Sequence, residues 1–309
     1  MSQLSALRVA ETDLSPRLKF VNILPSAVVI ATVIALLLAG APQQAPTAQM
    51  LSRNAQDQGW TGLTLGTAAS LVAGLVLQPL ELASIRFLEG YWSARGPLAR
   101  LGRMGMWLQQ RRKSRLAWQA RRLQDGAPLK EQAREGLTRM PDRRPVLPTM
   151  LGNRLRAAEE RAGRPYRLDA LRIWPRLYYV LSPETLQKLA EYRNQLDTMA
   201  RFCIAFALAA PITAALLALH TWWLGVPLVF GVLSWLAYRS AVHAATTYGD
   251  AFSAAIDVYR LKLLTEMSVK APENTDEERL LNQTLADLWE RDDNDPFPPG
   301  VDYSSGSSP

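Results

Sequence analysis

The sequence predicts an all-α integral membrane protein with four transmembrane helices, arranged as two hairpins with a cytoplasmic helical stalk or domain. Two observations support this prediction. Long charge-free apolar stretches occur in two pairs, and 24 of the 35 Lys and Arg residues lie between the pairs, at 82–200. Because Lys and Arg are costly in hydrocarbon and concentrate on the cytoplasmic side of a membrane, the layout predicts location and orientation together.

The first hairpin is predicted over 20–82, with spans at about 23–40 and 63–80. Each span has 18 residues. At about 1.5 Å per residue, such a helix nearly crosses a hydrocarbon core roughly 30 Å thick. The small residues at 39–41 are typical of a signal-peptide cleavage site, but Pro42 directly after them favours a retained anchor.

The second hairpin is predicted over 201–241. A charge-free run of 37 residues is too long for one crossing, so it divides into spans at about 202–219 and 224–241. The turn between them contains two Trp residues, which suit the aromatic belt at a membrane interface. Arg239 is expected to extend its head group to the inner boundary.

Orientation follows from the distribution of Lys and Arg. The N-terminal tail at 1–19 has three of these residues, the first outer loop has one and the second has none. Both loops are therefore expected outside, with the N- and C-termini cytoplasmic. Arg accounts for 29 of the 35 cations, which indicates a GC-rich bacterial genome and hence the bacterial plasma (inner) membrane.

The helical stalk is predicted from helices that continue beyond the second hairpin. The basic cytoplasmic helical region covers 83–200, and Ser182 is expected to cap a helix that begins at Pro183 and runs into the third span. The fourth span continues through 242–270, where apolar residues recur at helical spacing. Since a short turn joins the two rods, they should pack antiparallel.

Other parts of the cytoplasmic region have local signals. Four prolines in a polar stretch predict a linker at 126–148, and Thr149 is expected to cap a short helix that ends before Gly163. The adjacent pair Glu159 and Glu160 is interpreted as solvated charge. The tail at 271–309 is acidic and is expected to be largely disordered and solvated, the alternative being that it folds back on the basic region.

A strongly basic segment at 95–124 contains the candidate contact residues. Its cations alternate with apolar residues and Trp, as in helices that lie on an anionic leaflet. The alternatives are an ordinary solvated face and an acidic protein partner. The absence of a zinc-finger, RRM or helix-turn-helix pattern disfavours nucleic acid. The predicted contact residues for anionic lipid or an acidic partner are Arg111, Arg112, Lys113, Arg115, Arg121 and Arg122.

A second segment, at 166–179, is rich in Arg and aromatic residues. It is the densest candidate for a specific contact surface. The alternative is that its aromatic side chains pack against the stalk while its Arg side chains point outward.

The second predicted span has small residues at every fourth position. This spacing puts them on one helical face, where another backbone can approach closely. Packing within the bundle explains the stripe, and a homo-oligomer interface is the more specific interpretation. The residues are Gly62, Gly66, Ser70 and Gly74.

The stretch 148–163, read as PTMLGNRLRAAEERAG, is followed by YRLD and WPRLY. Together they resemble uncharacterised multi-pass membrane proteins of actinobacteria over 148–264. This resemblance implies a bacterial membrane location. It transfers no functional residue.

These patterns predict a non-enzymatic adaptor or scaffold that self-associates, binds an anionic bilayer and takes no cofactor. A phosphate-binding glycine loop, a nucleophile elbow and a cytosolic Cys and His pair are all missing, and the chain has one Cys and two His. Apart from Arg239 at the inner boundary, no Asp, Glu, Lys, Arg or His lies within a predicted span, which argues against transport. The alternatives are an oligomeric ion channel or pore, lined by small residues, and a membrane-anchored nucleic-acid-binding protein.

Overall fold

A computed structural model describes residues 16–57, 59, 62, 64, 66, 68, 81–92, 96–291 and 298–303. Within these ranges the chain is helical and forms no strand, which confirms the all-α prediction for the described residues. The helices are α1 Pro16–Leu38, α2 Ala48–Asp57, α3 Glu81–Glu89, α4 Pro97–Arg122, α5 Pro128–Thr138, α6 Met150–Arg161, α7 Ala170–Leu177, α8 Pro183–Leu217, α9 Gly225–Glu266 and α10 Thr275–Glu290, with 3-10 turns at Arg164–Tyr166 and Thr221–Leu224.

The chain divides into two compact units. Among the described residues, the large unit comprises Glu89–Arg193 and the chain from Ala244 onward. The small unit comprises the chain up to Leu88 together with Asn194–His243. Helices α8 and α9 each contribute to both units.

Two helical segments are long and apolar enough to cross a membrane: Pro183–Leu217 and Thr221–Glu266. In the core of a soluble protein such helices would be mostly buried. Here only 28% and 11% of their most apolar windows are buried, and Leu228 and Trp235 are exposed. Exposed apolar side chains in such numbers are typical of a surface that contacts lipid or protein.

The expected turn between these two segments is confirmed. Helix α8 ends at Leu217, the 3-10 turn contains both Trp residues, and α9 begins at Gly225. The expected start of α8 is also confirmed, since the Ser182 hydroxyl accepts a hydrogen bond from the Thr185 amide at 3.3 Å. Tyr259 of α9 donates to the same Ser182 hydroxyl at 2.8 Å, so the two rods pack antiparallel in the large unit.

The first hairpin stays a prediction. In the small unit, Leu36 and Ala41 at the end of α1 are buried against Leu217. Helix α1, Pro16–Leu38, includes residues 23–38 of the first predicted span. The second predicted span, 63–80, lies outside the described residues except for single helical positions.

Helix α6 is the centre of the large unit, with seven of its twelve residues buried. Thr149 caps it as expected, because its hydroxyl accepts from the Gly152 amide at 3.2 Å. Two glycines allow close approach: a Cβ on Gly152 would lie 2.0 Å from the Glu89 carbonyl oxygen, and one on Gly249 of α9 would lie 2.5 Å from the Ala158 Cβ.

The predicted linker at 126–148 is wrong in its first half, where Pro128 starts α5 and the helix packs on α4. The remaining loop is held by side chains of α6. Asn153 pairs with both backbone groups of Leu147, accepting at 2.7 Å and donating at 2.9 Å. Proline prevents a regular helix here, but the backbone is fixed by buried polar contacts.

Glu159 and Glu160 are not solvated charges. The Glu159 carboxylate is buried and pairs with Arg144 at 3.0 Å. The Glu160 carboxylate accepts from three successive amides of the loop, at 142–144, over 2.6 to 2.9 Å. Adjacent carboxylates therefore stabilise one loop, because consecutive amides form an anion-binding nest.

The predicted disorder of the tail is wrong for residues 275–290, which form α10. Asn274 caps this helix by accepting from the amides of Asp276 and Glu277 at 3.0 and 2.9 Å. Leu285 packs in a small core with Leu264 and Val269. Apolar side chains of α10 are buried in this core. Their burial stabilises a helix that the acidic composition of the tail did not predict.

Replacing Gly152 by Ala should destabilise the protein by about 3 kcal/mol, because the added methyl group overlaps a backbone oxygen that cannot move alone. Thermal unfolding in detergent measures this as a lower midpoint. Gly231→Ala is the matched control, since a Cβ there meets no described atom within 4 Å and Ala favours the helix by about 1 kcal/mol. Equal midpoints for Gly152→Ala and the parent would contradict the packing.

Candidate anionic-surface contact site

Helix α4 is the most strongly charged helix of the large unit. Pro97 at its first turn and the preceding Gly96 favour its start. It contains no acidic residue. Its eight cations are Arg100, Arg103, Arg111, Arg112, Lys113, Arg115, Arg121 and Arg122.

One face of α4 packs inward through small residues. A Cβ on Gly105 would lie 2.8 Å from the Pro148 Cβ, and a Cβ on Gly102 would lie 3.5 Å from the Trp92 ring. Gly136 of α5 similarly lies against Leu116. The inward face is therefore fixed by close contacts, which determines the direction of the outward face.

The outward face combines apolar and cationic side chains. Its members recur at intervals of three and four residues, which places them on one side of the helix. The apolar members are strongly exposed: Leu101, Met104 and Trp118 by 57%, 61% and 59%. In addition, the Arg111 guanidinium lies 3.7 Å above the Trp107 ring. The complete series is Leu101, Met104, Leu108, Arg111, Arg115, Trp118 and Arg122.

The six predicted contact residues do not all share this face. Lys113 points inward and donates to the Pro141 carbonyl at 2.6 Å. Arg112 is exposed, but it lies off the outward face and contacts the sulfur of Met150. Arg111, Arg115 and Arg122 are exposed on the outward face, and Arg121 is exposed beside it. The sequence predicted six contact residues from their charge alone. In the structure, four of the six lie on the outward face of α4 or beside it.

The second Arg- and aromatic-rich segment, at 166–179, is used inside the large unit. Trp174 is buried against Phe252, with ring centroids 4.8 Å apart. Arg176 lies 4.1 Å above the Trp289 ring of α10, and Arg172 pairs with Glu290. The aromatic packing given as the alternative is therefore observed, and the Arg side chains bind the acidic helix α10.

The docking of α10 is reinforced by a buried ion pair. Arg260 of α9 lies between the Tyr166 ring, 3.7 Å away, and the Glu278 carboxylate at 2.7 Å. Asn282 donates to the Tyr166 carbonyl at 2.9 Å. The alternative given for the tail, that it folds back on the basic region, is therefore observed for α10, whereas the specific residue pairs were not predicted.

A shallow groove of about 570 Å³ beside α10 is lined by five arginines. Most of their guanidinium groups are committed within the protein: Arg161 to Asp250, Arg164 to Asp142 and Arg279 to Asp276. Arg167 donates to the Gln283 side chain at 3.1 Å. These pairings leave less uncompensated charge here than on α4.

The predicted small-residue interface lies partly outside the described residues. Gly62 and Gly66 are helical, whereas Ser70 and Gly74 lie outside the described residues, so the predicted interface stays a prediction. In the described part of the chain, no three His, Cys, Asp or Glu side chains come together as a possible metal site.

A scan against protein-family models, a search of curated proteins and a search of solved structures each find no match for this chain. The resemblance to actinobacterial membrane proteins therefore stays a prediction.

The two orientations of cations on α4 have different consequences for stability. Lys113→Gln should destabilise the protein by about 1 to 2 kcal/mol, because the Pro141 carbonyl loses a charged donor. Arg115→Gln is the matched control on the exposed face and should change the free energy of unfolding by less than about 0.5 kcal/mol. Thermal unfolding measures both. Equal losses in the two variants would contradict the inward placement of Lys113.

Proposed function

We propose that this chain is a non-enzymatic adaptor or scaffold of the bacterial plasma membrane, anchored by apolar helices and self-associating, whose helix α4 binds the anionic cytoplasmic leaflet. The observation that best supports this proposal is the outward face of α4, which combines exposed Leu, Met and Trp side chains with Arg and has no acidic residue.

The chemistry of this face suits a lipid interface. Trp and Leu gain free energy by entering the region between head groups and acyl chains, while Arg remains at the level of the phosphates. The stacked Trp107 and Arg111 pair presents both properties at one position. Each cation near an anionic surface contributes about 1 kcal/mol.

Anchoring is supported independently by Pro183–Leu217 and Thr221–Glu266, which are long and apolar enough to cross a membrane. A membrane-bound chain keeps α4 at a high local concentration near lipid, so modest affinity is sufficient. The outward face of α4 would then set how the remaining surface of the large unit is presented to partners.

A single fluorescent probe tests the lipid contact in the full chain. Cys203 is the only cysteine, so Cys203→Ala gives a background in which Leu108→Cys can be labelled with an environment-sensitive dye. In nanodiscs rich in phosphatidylglycerol the dye emission should shift to the blue relative to phosphatidylcholine nanodiscs. Replacing Arg111, Arg115 and Arg122 by Gln removes about 3 kcal/mol of attraction between α4 and the anionic leaflet. The equilibrium constant for contact of α4 with phosphatidylglycerol, followed by the dye emission, should therefore fall by about 100-fold.

Met106→Cys in the same background is the matched control, because Met106 is exposed on a different side of α4. Its dye should report no change between the two lipids. Identical emission of the Leu108→Cys probe in both lipids would overturn the lipid contact. A shift caused by added nucleic acid in phosphatidylcholine discs would favour the nucleic-acid alternative.

The orientation is tested separately in intact cells. In the Cys203→Ala background, Trp222→Cys places a thiol in the highly exposed turn between the two candidate spans, and Tyr303→Cys places one near the C-terminus. A membrane-impermeant maleimide should label the first variant in intact cells and the second only after lysis. The reverse labelling pattern would contradict a cytoplasmic C-terminus.

A further inference from the structure

A half-open pocket lies between α4, α5 and α6, all within the large unit. Its polar lining includes three guanidinium groups. Its empty volume is about 220 Å³, including the part that opens to solvent. Its interior has room for the centre of one water-sized group. The main lining residues are Gln109, Arg112, Arg139, Met150, Asn153 and Arg154.

Arg154 is the unusual member of this lining. Its Nη1 atom is buried and has no hydrogen-bond partner among the described residues. Burial, together with the nearby charges of Arg139 and Arg112, lowers the pKa of Arg154 to about 10. The group is still charged at neutral pH, so its buried Nη1 lacks the hydrogen-bond partner that a charged donor ordinarily has, although the side chain as a whole is only half-buried.

The surrounding charges leave the pocket positive. Arg139 is paired with Glu135, and the same carboxylate stabilises the charge of Arg154, whereas Arg161 adds further repulsion. Three guanidinium groups against one carboxylate leave an excess of about two positive charges. A dianion would neutralise this excess.

The lining has two amide side chains, of which one is already hydrogen-bonded within the protein and the other can contact a ligand. Asn153 is fully used by the backbone of Leu147, so it shapes the wall and does not face a ligand. Gln109 has a buried Oε1 without a hydrogen-bond partner among the described residues. Because amide oxygen and nitrogen are exchanged by a flip, Gln109 can present its NH₂ group as a further donor.

We propose that this pocket binds a phosphate group, with one phosphoryl oxygen entering towards Arg154 and the remaining oxygens held at the open side by Arg112 and Arg139. Guanidinium groups match phosphate oxygens in geometry and charge. The limited interior favours a terminal phosphate over a bulky ligand. Free phosphate and a phosphomonoester head group share this chemistry.

Thermal unfolding of the full chain in phosphatidylcholine nanodiscs tests the site, with inorganic phosphate as the probe and chloride at matched ionic strength as the reference. Phosphate should raise the unfolding midpoint in a saturable way, because it binds the folded state only. Arg154→Gln should abolish this rise. In chloride its midpoint should equal or exceed that of the parent, because an uncompensated buried charge is removed.

Arg112→Gln and Arg139→Gln provide further tests, and each should weaken the apparent affinity for phosphate by about tenfold or more. Arg143→Gln is the matched control, since this exposed Arg lies outside the pocket lining. A parent protein that does not respond to phosphate, or an Arg154→Gln variant that responds fully or has a lower midpoint in chloride, would overturn the proposal.

The source of the phosphate group is distinguished by lipid composition. In nanodiscs containing phosphatidic acid without free phosphate, a rise in midpoint that requires Arg154 supports a head group as the ligand, and a rise with inorganic phosphate alone supports a soluble one. The leaflet contact is separable from this site, because Arg115→Gln should reduce the anionic-lipid preference of the Leu108→Cys probe and leave the phosphate response unchanged.

Discussion

The large unit depends on the close packing of α6, which is possible only because Gly152 lies against the Glu89 carbonyl and Gly249 lies against Ala158. Few voids remain in such an interior, so added atoms must displace backbone. With α6 fixed, its Asn153 and Glu160 side chains hold the loop at 142–147, and Pro141 and Pro148 at the two ends of this loop meet the inward face of α4. One helix thereby sets the positions of both candidate binding surfaces.

The arginines of this protein have two different roles that depend on their neighbours. Arg167, Arg172 and Arg176 are hydrogen-bonded, paired or stacked with α10, a helix with five acidic residues and one basic residue. On α4, the outward cations have no such complement in their own helix, and apolar side chains separate them. Uncompensated charge beside exposed Trp has a clearer use at an anionic interface than at an ordinary solvated surface.

Much of the helical framework was predictable from local chemistry. Ser182 and Pro183 predicted the start of α8, Thr149 predicted the cap of α6, and a 37-residue run without charge predicted two rods and a turn. These signals act within a few residues, so they survive without knowledge of the fold. The first half of the predicted linker and the predicted disorder of 275–290 were wrong, because α5 is stabilised by packing on α4 and α10 by packing on distant parts of the chain, which composition does not show.

The sequence by itself determined the apolar helices, the central concentration of Arg and the caps, because hydrophobic length, charge and capping are properties of contiguous residues. The tertiary structure decided which cations face outward, since Lys113 turns to Pro141 while Arg115 remains exposed. It also brought Arg112 of α4, Arg139 directly after α5 and Arg154 of α6 around one pocket. Such a meeting depends on how the helices pack, and no spacing along the chain encodes it.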